Sequence, residues 1–138
     1  MRHQAEVGDI MATKPIALKR SDTLEIAEAL FNQYQIKHIP VVSHDVVIGM
    51  VSFTDLQKIS QAEVSADEHD INTVVYNTFS IEQVMTKNVV TVPSNTPVNE
   101  AAQILAEREF HALPVVDDGI LVGMVTTTDL LKYYIKVF

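Results

Sequence analysis

The chain has 138 residues, 47% of them hydrophobic and 20% charged, which fits one ordinary domain with a shared core and is neither disordered nor fibrous. A formal net charge of −8 sets up a negative field that disfavours nucleic acid as a partner, so any phosphate site must be built locally from a few basic side chains and backbone N–H groups. Cysteine is absent, which excludes disulfides and thiolate metal sites, and no apolar run approaches the ~20 residues that a membrane-spanning helix requires. The N-terminus lacks the apolar core of a secretory signal, so the expectation is a soluble, cytoplasmic protein without membrane insertion.

In chain order, Val7–Met11 reads as a short helical lead-in. Ile16-Ala17-Leu18 reads as an extended segment after Pro15, which disfavours helix at Lys14. Asp22-Thr23-Leu24-Glu25 has the form of a capping box, with Asp22 as N-cap. Leu24, Ala27, Leu30, Phe31 and Tyr34 follow at helical spacing and predict one apolar face. Ile39-Pro40-Val41-Val42 predicts a strand whose proline spares a ladder N–H at its start. Ser43-His44-Asp45 predicts a tight turn, and Val46 to Ser52 the returning strand of a hairpin. Gly49 within that strand marks a bulge or a place where something approaches the backbone closely. A second helix is expected from near Thr54. Gln61 to Thr78, with Glu63, Asp67, Glu68 and Asp70, lacks periodicity and reads as a solvated acidic connector.

The chain then repeats itself. Residues 11–58 lie over 85–132 at one constant offset (85 − 11 = 74) without gaps, and roughly a quarter of the positions are identical. Pro40-Val41-Val42 falls on Pro114-Val115-Val116, Gly49-Met50-Val51 on Gly123-Met124-Val125, and Thr54-Asp55-Leu56 on Thr128-Asp129-Leu130. The second copy has its lead-in at Ile81–Met85, its hairpin turn at Asp117-Asp118-Gly119 and its returning strand at Ile120 to Thr126. Its main helix is expected to open with Thr96 as N-cap and Pro97 in the first turn, presenting Val98, Ala101, Ala102 and Leu105. Two copies are too few for a solenoid, so the expectation is a mixed α/β (α+β) fold. It would hold two gapless β-α-β-β-α repeats (7–59 and 80–138, joined by the connector 60–79) on one shared core. A pseudo-two-fold axis would relate them, with a cleft between them carrying two near-equivalent sites.

The chemistry is expected where the last strand of each repeat meets the next helix. Ser52-Phe53-Thr54-Asp55 and Thr126-Thr127-Thr128-Asp129 occupy the same frame. A helix start offers unpaired N–H groups and a partial positive charge to an anion. Ser52, Thr54, Thr126 and Thr128 add hydroxyl donors, while Asp55 and Asp129, acceptors only, suit the two hydroxyls of a ribose. The competing interpretation is a plain N-cap followed by a first-turn acid. Recurrence of the motif in register weighs for a site.

These features together resemble the paired cystathionine-β-synthase-type (CBS) domains. The resemblance rests on Ile10-Met11-Ala12 with Val84-Met85-Thr86, on the Ile/Leu-Pro-Val-Val strands and on the glycine-to-aspartate motif, and it covers nearly the whole chain. It implies a non-catalytic regulatory module that binds an adenosine ligand (AMP, ADP, ATP or S-adenosylmethionine) between the repeats and controls a separate enzyme or transporter in trans. By the resemblance, phosphate and ribose fall to Ser52, Thr54 and Asp55, and to Thr126, Thr128 and Asp129. The adenine falls to apolar side chains and backbone of Thr13 to Ile16 with Ile39 and Pro40, and of Lys87 to Val90 with Leu113 and Pro114. Lys37 and His38 stand where basic residues meet phosphates, whereas the second copy has His111 and Ala112, one potential cation fewer. His3, His44 and His69 share no spacing with carboxylates and are read as surface residues without a metal site or catalytic cofactor. The alternative class is a ligand-free dimerisation scaffold. A homodimer is expected in either case, from Ile26 and Ala29 on the outer side of the first main helix and from the apolar segment Tyr133–Phe138.

Overall fold

In a computed structural model the described residues are 4–62, 79–108 and 110–138. The connector expected over 60–79 lies, from 63 to 78, outside them, as do His3 and His69. The elements are α1 (Val7–Ile10), β1 (Ala12–Thr13), β2 (Leu18–Lys19), α2 (Leu24–Tyr34), β3 (His38–Ser43), β4 (Val46–Ser52), α3 (Phe53–Ala62), α4 (Ile81–Val84), α5 (Val98–Arg108), β5 (Ala112–Asp117), β6 (Ile120–Thr126) and α6 (Thr127–Val137). The predicted lead-ins, hairpin strands and main helices are all present, in a mixed α+β fold of paired repeats.

The chain forms two compact units, one made of the residues up to Pro15 with Val90–Phe138, the other of Ile16–Val89. Each unit therefore takes its lead-in from the other repeat's stretch of sequence. In the second unit, the Met50 N–H donates to the Thr86 carbonyl (3.0 Å) and the Thr86 N–H to the Met50 carbonyl (2.8 Å), placing the chain after α4 on the free edge of β4. In the first unit, β1 lies antiparallel on β6, with Ala12 opposite Met124 and Thr13 opposite Gly123. The far edges match too: β2 runs parallel to β3, and Val92 bridges in parallel to Val115. Both sheets thus have the same order, lead-in, last strand, proline strand, first strand.

Each unit has its own buried cluster. One holds Leu18, Leu24, Ala27, Phe31, Ile39, Val41, Val51, Leu56 and, from α4, Ile81. The other holds Val92, Ala101, Leu105, Leu113, Val115, Val125 and, from α1, Val7. Ile81 and Val7 are wholly buried, and a side chain of that size contributes roughly 1.5–3 kcal/mol when taken from water. The lead-ins are anchored by packing as well as by backbone bonds.

The hairpins explain their sequence signals. Both turns are two-residue turns with positive φ at both centres, His44 (51°) and Asp45 (67°), Asp118 (52°) and Gly119 (80°), which matches the right-handed twist of the flanking strands. Gly49 and Gly123 sit opposite Val41 and Val115, where each hairpin carries a bulge. They also meet the exchanged lead-ins: a Cβ on Gly49 would lie 3.0 Å from the Thr86 carbonyl oxygen, and one on Gly123 would lie 2.8 Å from that of Ala12. Both meanings of the glycine hold at once.

Three local expectations need correcting. The cap of α2 is Thr23, whose hydroxyl accepts from the Ile26 N–H (3.2 Å); Asp22 instead accepts from the Lys19 N–H (2.8 Å), closing the preceding turn. In the second repeat the helix likewise begins one residue later, at Val98, because the Thr96 carbonyl is committed to the Val7 N–H (2.8 Å) of the lead-in. Tyr34 does not belong to the inward stripe of α2; it is 47% exposed at the helix end.

The units fasten their lead-ins differently. In one, the Gly8 N–H donates to the Ser94 carbonyl (2.8 Å), and Ser94 donates through its N–H and hydroxyl to Asp117 (2.9 and 2.6 Å), holding that carboxyl below its ordinary value of 3.8. At the equivalent places in the other stand Glu82 and Arg20, an ion pair at 2.6 Å between largely exposed side chains, worth at most about 1 kcal/mol.

The lead-in contact yields a test. At both glycines an added methyl meets a flexible methionine side chain first, Met85 at Gly49 and Met11 at Gly123, and a backbone carbonyl oxygen that cannot turn aside, and overpacking of this kind costs roughly 1–3 kcal/mol. Gly49→Ala and Gly123→Ala are each expected to lower the urea midpoint, Gly123→Ala the more because its carbonyl lies closer, at 2.8 Å against 3.0 Å. Equal midpoints for both variants and the parent protein, read by circular dichroism, would contradict this geometry.

Candidate functional site

The strand pairing within each hairpin assembles the candidate residues. His38 is opposite Ser52 in the β3/β4 register, and Ala112 is opposite Thr126 in β5/β6. One step outward, the Phe53 N–H donates to the Lys37 carbonyl (2.9 Å), and the Thr127 N–H to the His111 carbonyl (3.0 Å). The residue before the proline strand is thereby fixed beside the first turn of the following helix. Lys37, His38, Ser52, Thr54 and Asp55 gather in one unit, and His111, Thr126, Thr128 and Asp129 gather in the other.

The helix starts one residue before the expected position, at Phe53 and Thr127, so the cap is the earlier hydroxyl and not Thr54 or Thr128. Ser52 Oγ accepts from the Asp55 N–H (3.0 Å) while Asp55 Oδ2 accepts from the Ser52 N–H (3.1 Å). Thr126 and Asp129 make the same reciprocal pair at 3.1 and 2.9 Å. The duplicated motif is therefore a capping box in both repeats. That explains the spacing of hydroxyl and acid, and it leaves something over. Each aspartate puts only Oδ2 into the cap, which leaves Oδ1 outside it as an acceptor. Each capping hydroxyl accepts through oxygen and keeps its own proton to donate. Thr54 and Thr128, two residues after the cap and within the first turn, are exposed and make no capping bond.

The residues expected to hold adenine divide by burial. Ile16 and Val90 are partly exposed and flank the two cores. Ile39 and Leu113 are wholly buried, and Pro40 and Pro114 are buried as well, so at the surface these four offer backbone and not side chain. The Pro114 carbonyl is in turn taken by the Val92 N–H at 3.1 Å. His44 is exposed in its turn, as read from the sequence.

The sequence reading missed that Lys58 and Lys132 also occupy equivalent positions, four residues after Thr54 and Thr128 and so on the same side of their helices. Both are exposed. Their identity at the offset of 74 was the available signal. Among the described residues no group of three or more His, Asp or Glu side chains is placed to hold a metal ion. No helix among them is long and apolar enough to cross a membrane.

Comparison with known proteins places this architecture. The CBS domain model matches twice, over residues 7–61 and 81–136, and the chain belongs to the CBS domain family, as a CBS-domain pair. A CBS domain-containing protein of Dictyostelium discoideum is 29% identical over 133 residues, covering 95% of this chain and 92% of that protein. Homoserine O-acetyltransferase of Methanohalobium evestigatum is 30% identical over 128 residues, 91% of this chain but only 23% of the enzyme, so the likeness is confined to its CBS portion. The chain spans a similarly small share, 21%, of the inosine-5'-monophosphate dehydrogenase of Bifidobacterium longum. Among solved structures, the CBS domain pair of protein MJ0100, in complex with 5′-methylthioadenosine and S-adenosyl-L-methionine, superposes with a TM-score of 0.81 at 25% identity, covering 99% of this chain and 100% of that one. The protein CBSX2 in complex with AMP superposes at 0.79 and 25% identity, covering 96% and 98%.

Proposed function

We propose that this chain is a non-catalytic regulatory module that binds an adenosine-containing ligand at the two helix-start clusters and controls a partner enzyme or transporter in trans. The observation that carries the reading is the repeated capping box that keeps a carboxylate oxygen and a hydroxyl proton in reserve, beside an exposed threonine and the residue before the proline strand. A carboxylate oxygen suits ribose hydroxyls, and hydroxyl and N–H donors suit a phosphate or other polar 5′ group. Structural relatives of similar length hold AMP, 5′-methylthioadenosine and S-adenosylmethionine, which supports this ligand class. Ile16 and Val90 are the side chains available to an adenine face, with backbone of the proline strands completing the contact.

A ligand-free scaffold is the second reading, favoured by the complete burial of Ile39 and Leu113, which withdraws two expected adenine contacts into the cores. Ligand-induced stabilisation separates the two. An adenosine ligand present at about 100 times its Kd adds about 2.7 kcal/mol to stability. For a domain of this size that raises Tm by roughly 5–12 °C. A rise with at least one of AMP, ADP, ATP and S-adenosylmethionine is the expected result. No shift with any of them at millimolar concentration leaves the scaffold.

Assembly as a homodimer belongs to the same proposal. Ile26 on α2 is 43% exposed, and α6 runs to Val137 with Ile135 78% and Phe138 86% exposed, a denser apolar surface than a single copy needs. Two-fold closure lets one such patch meet itself. Ile26→Glu is expected to shift the protein towards monomer in sedimentation velocity. A parent protein that sediments as a monomer at micromolar concentration would end this part of the proposal.

A further inference from the structure

The two clusters share their backbone frame but not their charge. The carbonyl of Lys37 and that of His111 each hold the first N–H of the following helix, at 2.9 and 3.0 Å, so the two side chains leave from equivalent points. The capping pair, the exposed threonine and the lysine one turn on are alike in both. Ser52 and Thr126 offer the same hydroxyl, and what else differs is short: Lys37 against His111, His38 against Ala112, and Phe53 against Thr127. The last difference adds no charge, since the Phe53 ring stands edge-on to Phe31 of the core (5.8 Å, 79°) and the Thr127 hydroxyl turns back to the His111 carbonyl at 3.4 Å. Ala112 is buried and contributes only a methyl. The contrast therefore reduces to an exposed ammonium with a neighbouring imidazole in one unit, and one exposed imidazole in the other.

That contrast matters because the whole chain carries −8. An anion gains entry only where a local cation offsets that field, and a lysine ammonium is a compact fixed charge while an imidazole is not. A cationic 5′ group has the opposite preference, because a sulfonium is repelled by Lys37, while a neutral 5′ group gains nothing from it and has none. Resting on the adenosine reading above, we propose that the two clusters take different classes of adenosine compound. The Ser52–Asp55 cluster takes adenosine 5′-phosphates. The Thr126–Asp129 cluster, which lacks that ammonium, takes adenosine sulfoniums, a neutral 5′-thioether is not sorted by charge between the two, and Lys37 and His111 are the residues that set the difference.

Ile16 and Val90, one in the unit of each cluster and both partly exposed, provide separate reporters by methyl carbon–proton NMR. The probes are AMP and 5′-methylthioadenosine, added separately to the full chain. AMP is expected to move the Ile16 methyls at a concentration at least about tenfold lower than it moves those of Val90, the worth of one charge-assisted hydrogen bond. 5′-Methylthioadenosine is expected to show no such preference for Ile16. Lys37→His weakens AMP at Ile16 by roughly tenfold and leaves 5′-methylthioadenosine unchanged, and His111→Lys strengthens AMP at Val90 by a similar factor. The proposal is overturned if both compounds rank the two methyls alike, or if the exchanged variants bind AMP as the parent does. If neither compound moves either methyl at millimolar concentration, the adenosine reading falls with it, so the two failures are told apart.

Discussion

The structure depends on the close backbone approach of each lead-in to a glycine strand. Thr86 exchanges two hydrogen bonds with Met50 beside Gly49, and β1 pairs with β6 across Gly123. At both places a methyl group would crowd a carbonyl oxygen at 3.0 Å or less. The approach covers one edge of each hairpin, which would otherwise offer unpaired backbone groups to another chain. It also delivers Val7 and Ile81, both wholly buried, into the two cores. Because each unit borrows its lead-in from the other repeat's sequence, each depends on a segment distant in sequence.

Covering that edge frees the other end of the last strand for chemistry. β4 and β6 run from the glycine directly into α3 and α6, so a strand whose pairing is fixed on both sides sets where each helix starts. The carbonyls of Lys37 and His111 then close the corner. A helix start held in this way presents its donors without further ordering, which lowers the entropy lost when a ligand is bound. The capping box has two consequences there: it satisfies the helix end, and it orients the aspartate so that its second oxygen remains outside the cap.

Much of this was legible in the sequence because the signals were local. Both hairpins fall where Pro40, Pro114 and the turn residues placed them, and β4 and β6 have the expected bounds, since short apolar runs bounded by turn residues leave little freedom in where a strand begins. Caps were harder. Asp22 and Thr23 are both good caps, and the choice was settled by a competing acceptor role, the closing of the Lys19 turn. The start of α5 was settled by the Val7 N–H, which no window around Thr96 contains. The exchange of lead-ins was only hinted at, by glycines that demanded a close neighbour without naming it. At the candidate site, the motif was visible through repetition, but its capping role was not, until the hydrogen bonds showed which oxygens the cap uses. Burial of Ile39 and Leu113 was likewise invisible, because an apolar residue before a proline reads the same whether it faces a core or a ligand.

The central claim is that the repeated cap leaves each aspartate able to bind. Titration calorimetry with AMP and with S-adenosylmethionine on the parent chain, Asp55→Ala and Asp129→Ala measures that most directly, with helical circular dichroism checking that each variant is folded. The account predicts that each substitution removes one binding event and spares the other. Folded variants that both titrate as the parent does would contradict it, and would leave Asp55 and Asp129 as helix caps alone.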